Sequence, residues 1–107
     1  MKIETAASQL EALGNTTRLE IYRLLVRAGG SGLAVGSLQT KLDIAASTLS
    51  HHLKKLIAVN LVFQERQATT LICRANYASM NGLLTYLADE CCKDSDECSP
   101  QTEASAA

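Results

Sequence analysis

Tryptophan is absent from this chain of 107 residues, phenylalanine occurs once and tyrosine three times. An interior without aromatic bulk has to be filled by Leu, Ile, Val and Ala. No apolar run approaches the ~20 residues of a membrane-spanning helix. The first ten residues, MKIETAASQL, carry Glu4 and lack the apolar centre of a secretory signal. The expectation is therefore a cytoplasmic protein without a membrane partner. A Gly-rich cofactor loop, an acid/base pair and a CxxC pair are all missing, which argues against an enzyme and against an organic cofactor. Internal repeats are absent too. The length suits one domain, and so small a core gives modest stability, so a dimer interface would help.

The net charge of −1 looks wrong for a nucleic-acid binder until it is divided along the chain. Residues 1–88 hold nine Lys/Arg against five Asp/Glu, a net +4, whereas residues 89–107 hold one Lys against six Asp/Glu, a net −5. A mildly basic body favours phosphate contacts. The acidic end must lie away from DNA, which it would repel. Two domain-level segments follow: 1–92 as a folded body, and 93–107 (KDSDECSPQTEASAA) as an acidic tail, expected to be mostly disordered, that carries Cys98.

What is present centres on Ala45–Ala58, AASTLSHHLKKLIA. Leu49, Leu53, Leu56 and Ile57 fall on one helical stripe. Ser47, Thr48, His51, Lys54 and Lys55 take the opposite face, which has hydroxyls, an imidazole and ammonium groups but no carboxylate. A leucine-lined, donor-rich helix on a small domain is what major-groove reading requires. A merely solvated helix would show the same polar face, so its neighbours decide. Before it, Val35–Leu42 reads as a short helix, joined through Asp43-Ile44-Ala45; short helix, tight turn and donor-rich helix make a helix-turn-helix. After it, Leu61–Glu65 and Thr70–Arg74 are strand-like, with residues 66–69 as the hairpin loop. That hairpin is the wing of a winged helix, and Arg66 and Gln67 at its tip suit a phosphate or the minor groove, the alternative being a solvated turn.

Within the reading helix, Ser47, Thr48, Ser50 and His51 are expected to meet bases or phosphates, Lys54 and Lys55 phosphates, and His52 to pack at the core edge or bond to backbone. Upstream, Ile3–Leu13 forms a first helix with Ile3, Ala6, Leu10 and Leu13 on one side, closed by Gly14. Asn15 is a good N-cap for a second helix from Thr16 to about Ala28, apolar over most of its circumference and expected at the buried centre. A last helix runs from Tyr77 to Cys92, and its stripe of Met80, Leu83, Leu84 and Leu87 is too apolar for a monomer surface. The fold class is thus mainly α with a β-hairpin wing.

LGNTTRLEIYRLL (Leu13–Leu25) and STLSHHLKKL (Ser47–Leu56) together resemble the ArsR/SmtB family of metal-sensing repressors, over roughly residues 10 to 90. The resemblance implies a homodimeric winged helix-turn-helix that occupies a pseudo-palindromic operator in double-stranded DNA. It places the dimer contact on the first and last helices, here Leu10, Met80, Leu83, Leu84 and Leu87. One departure is informative. Many arsenic and cadmium sensors of that family carry two cysteines on the helix before the reading helix, where this chain has Ala34 and Gly36. That sensor site is absent.

Four cysteines stand at 73, 91, 92 and 98. A disulfide framework is not expected in a reducing cytosol. Cys73 falls on the second strand with Leu71 and Ala75 and reads as a small core residue. Cys91, Cys92 and Cys98 put three soft thiols within eight residues. Three sulfurs suit trigonal As(III) or Sb(III), and some family members resemble this chain in placing three such cysteines at the C-terminus for arsenite. The expected function is a repressor that binds its operator as the apo dimer and is released by As(III) or Sb(III) as inducer. A soft divalent ion (cadmium, lead or zinc, helped by Asp89, Asp94 or Asp96), a thiol redox switch, a Cys92–Cys98 disulfide and idle thiols remain open, as does whether Cys98 comes from the same chain.

Overall fold

The computed structural model describes residues 1–95. Five α-helices and three short strands follow one another as α1 (Ile3–Leu13), α2 (Thr16–Ala28), β1 (Leu33–Ala34), α3 (Val35–Leu42), α4 (Ala46–Ala58), β2 (Val62–Gln67), β3 (Thr70–Ala75) and α5 (Tyr77–Ala88), with a single 3-10 turn at Gly29–Ser31 after α2. The fold is a winged helix-turn-helix, mainly helical, with one small antiparallel sheet in the order β1-β3-β2.

Local chemistry accounts for most boundaries. Asn15 caps α2, its side-chain oxygen accepting from the Arg18 amide at 3.0 Å, and Asn76 does the same for α5 through Ser79 at 3.2 Å. The α3–α4 turn lacks glycine because Asp43 takes the left-handed conformation itself (φ 55°), which short polar side chains tolerate. Gly32 has no such substitute. Its φ is +68°, and a Cβ there would run into the Cys73 carbonyl and the Arg74 and Ile72 side chains.

The core forms where the apolar stripes converge: Ile21, Tyr22 and Leu25 of α2, Leu38 of α3, Leu49, Leu53 and Leu56 of α4, then Leu61, Val62, Cys73 and Ala75. Three side chains tie this body to its outer helices. Gln9 donates to the Val59 carbonyl at 2.9 Å, Arg18 to the Ala12 carbonyl at 2.6 Å, and the Tyr77 hydroxyl reaches the Leu25 and Val26 carbonyls at 3.3 and 3.2 Å.

Several expectations change. α5 stops at Ala88, not Cys92, and residues 89–94 form turns with Glu90 and Cys92 at positive φ. Asp89 and Glu90 set carboxylates against the negative end of the helix dipole, and no basic residue in the last turn offsets them. The hairpin loop shrinks to Ala68-Thr69, because β2 continues through Arg66 and Gln67, which pair with Leu71 and Thr70. β1 was not anticipated. Two residues are too short for any periodicity, and they pair with Cys73 and Ile72 only once the chain has folded. Leu19 is exposed, so α2 is not buried all round. In α1 the side turned inward is Ala6, Gln9 and Ala12, leaving Ile3 and Leu10 outward.

Candidate nucleic-acid interface and thiol site

The candidate reading face is built on α4. Leu49, Leu53 and Leu56 lock one side into the core, so Ser47, Thr48, Ser50, His51, Lys54 and Lys55 all stand exposed on the other. Nothing acidic lies on the helix. Between α4 and the wing runs a cleft of about 160 Å³ lined by Ser50, Lys54 and Gln64 above Leu53, Ile57 and Leu71. Arg66 and Gln67 stay exposed near the far end of the hairpin. Arg66 borders a groove of about 470 Å³ against the β1–α3 junction. The structure thus puts the helix donors and the wing cation on one small body, as major-groove reading flanked by a backbone contact requires.

His51 and His52 separate as expected, with rings 5.7 Å apart and edge to face. His51 is exposed, whereas His52 is half-buried and its partner is a side chain rather than backbone. Arg18 Nη1 donates to His52 Nδ1 at 3.3 Å. A guanidinium has no acceptor, so Nδ1 must be the accepting nitrogen and the ring neutral, with its proton on Nε2. Burial, and then the charges of Arg18, His51 and Lys55, hold the His52 pKa below the ordinary histidine value.

Sequence reasoning missed Arg18 and Arg74. Arg18 is only 8% exposed and has no carboxylate partner among the described residues; its signal was a cation inside an otherwise apolar stretch. Arg74 bonds Glu65 at 2.5 Å and the Gly30 carbonyl at 2.8 Å, pinning the wing to the turn after α2.

Cys91 and Cys92 lie just past α5, with sulfurs 3.5 Å apart. An ion about 2.3 Å from each sulfur would see the pair at an angle of roughly 100°, so both thiols fit one thiophilic ion. Cys98 lies outside the described residues, and among those described no three His, Cys, Asp or Glu side chains gather. Cys73 is fully buried, takes a bond from Gln64 at 3.4 Å, and has its thiol pKa pushed up by burial. It is a core residue. Beside the thiol pair runs an open apolar stripe, with Leu84 56% and Leu87 55% exposed and Leu10 42% exposed on α1; Met80 is half-buried, and Leu83, 4% exposed, packs into its own protomer.

Residues 13–64 match the model of a helix-turn-helix domain. Nodulation protein NolR of Rhizobium meliloti is 38% identical over 93 residues, 87% of this chain and 74% of NolR. An ArsR-like transcriptional regulator from Rhodococcus sp. RHA1 superposes with a TM-score of 0.70 at 29% identity, covering 79% of this chain and 77% of that one. The chain belongs to the ArsR family of transcriptional regulators. A homodimeric winged helix-turn-helix DNA-binding domain from Mycobacterium bovis matches this ArsR-family chain with a TM-score of 0.65 at 28% identity, covering 89% and 88% of the two. The ArsR-family assignment makes the protein a DNA-binding regulator and not an enzyme. No helix among its described residues is long and apolar enough to cross a membrane.

Proposed function

We propose that this regulator is a homodimeric repressor which binds a pseudo-palindromic operator and is released by As(III) or Sb(III) held on Cys91, Cys92 and Cys98. The observation that carries this reading is the sulfur pair, 3.5 Å apart and accessible, at the end of α5. The sensor positions implied by the family resemblance are Ala34, at the end of β1, and Gly36, in α3, so sensing falls to other residues. Leu10, Leu84 and Leu87 supply an apolar face for a second copy, and a relative of this fold is a homodimer. Thiolate ligation of the metalloid would tie the turn after α5 to Cys98, beside that face. Because the two α4 helices must span two half-sites, a change at the subunit contact alters their spacing and so their grip. Linkage requires inducer and DNA each to weaken the other, typically by about 1–3 kcal/mol.

Gel shift on the duplex immediately upstream of the coding sequence tests the reading. Arsenite should release the wild-type protein, and a variant with Cys91, Cys92 and Cys98 all changed to Ser should bind but stay bound. Release of that variant by arsenite would overturn the proposal. Release by cadmium, lead or zinc but not arsenite would move the site to a soft divalent ion, and release by peroxide alone would make it a redox switch.

A further inference from the structure

The apolar stripe of α4, with Leu49, Leu53 and Leu56 fully buried, sets which face of the helix turns inward, and a directional hydrogen bond adds a fixed reference point to that packing. Among the described residues, one side-chain hydrogen bond joins the body of α4 to the rest of the molecule: Arg18 to His52. Arg18 is itself fixed, buried on α2, with Nε donating to the Ala12 carbonyl at the end of α1. Three helices therefore meet at one guanidinium. His52 follows His51 directly and lies one turn from both Thr48 and Lys55. Any rotation of the imidazole's anchor moves those three exposed groups together.

We propose that Arg18 and His52 are positioning residues for DNA reading, setting the rotation at which Thr48, His51 and Lys55 face the duplex, and that they do so only while the His52 ring is neutral. Protonation converts Nδ1 from acceptor to donor, 3.3 Å from a cation that cannot give up its own proton. Among the described residues nothing nearby relieves the clash. Arg18 comes from α2 and His51 and Lys55 from α4 itself; α1 offers the Ala12 carbonyl and the neutral Gln9; no carboxylate of α1, α2 or β2 acts on the ring. Burial and the same cations keep the ring deprotonated at neutral pH, so the pair holds in ordinary conditions and fails in acid.

The test uses the full chain and two variants. His52→Asn puts an amide oxygen where Nδ1 lies and cannot titrate in this range; His52→Ala removes the acceptor. Amide hydrogen exchange over Ser47–Leu56 is read against α5 as an internal reference. Relative to wild type at about pH 7.5, His52→Ala should lose protection in α4 about tenfold while His52→Asn keeps it, a factor that corresponds to losing one net hydrogen bond. At about pH 5, after correction for intrinsic exchange, wild type should lose α4 protection and His52→Asn should not. Both proteins keep His51, so its contribution cancels. On the upstream duplex, His52→Asn should retain the preference over random DNA that His52→Ala loses. Equal losses for wild type and His52→Asn in acid, or full α4 protection in His52→Ala, would overturn the proposal. The exchange readings stand whether or not the metalloid reading holds.

Discussion

Asn15 and Arg18 sit three residues apart and hold one corner of the molecule in two ways. The Asn15 side chain satisfies the Arg18 amide, and the Arg18 side chain satisfies the Ala12 carbonyl. Asn15→Ala should cost about 1 kcal/mol in urea denaturation, the usual effect of losing an N-cap. Arg18→Met should cost more, about 1–3 kcal/mol, because it strips a partly buried carbonyl of its donor. The depressed His52 pKa also has a thermodynamic sign. The unfolded chain takes up a proton near the ordinary value of about 6.5, before the folded protein does. Stability from this group is therefore complete above that pH and is lost as pH falls through the folded value. Thermal melts of wild type against His52→Asn should diverge on the acid side and coincide on the alkaline side.

At the level of elements, α4 illustrates a division of labour that follows from helical periodicity. Its buried leucines belong to the core, and its exposed donors form the candidate reading face. Lys54→Ala and Lys55→Ala should weaken all sequences alike, each lowering the slope of log affinity against log salt by about 1.8 for the proposed dimer, one phosphate contact being lost in each protomer. Thr48→Ala and His51→Ala should instead change which sequences are preferred, as read by binding to a randomised duplex pool. These outcomes separate phosphate contacts from base contacts. The wing behaves as one element with the turn after α2, since Arg74 bridges Glu65 and the Gly30 carbonyl. A stiff hairpin of this kind can present Arg66 without ordering a loop at the moment of binding.

For the whole molecule, the open apolar face and the charge split are the features that matter. Leu84 and Leu87 are more than half exposed on one face of α5. Leu84→Glu together with Leu87→Glu should convert the proposed dimer to a folded monomer in analytical ultracentrifugation, and operator affinity should fall because one half-site is held alone. The variant's circular dichroism should match wild type, since neither residue contributes to the protomer core. Body and tail carry opposite net charge, and only the body offers α4 and the wing to a polyanion.

Much of this was legible in the residues themselves. Leucines at helical spacing fixed the inner side of α4, Asn15 marked the start of α2, and β-branched runs marked the wing strands, because each signal is local and is written in consecutive residues. The end of α5 was misplaced by four residues, since Cys91 and Cys92 suit a helix in apolar content while Asp89 and Glu90 oppose it electrostatically. Tertiary structure alone decided the pairing of β1 with β3, the extension of β2 through Gln67, the burial of Leu83 in its own protomer and the meeting of Arg18 with His52. Those two residues are 34 positions apart, and a bond between them exists only because three helices pack to bring a buried guanidinium beneath the reading helix.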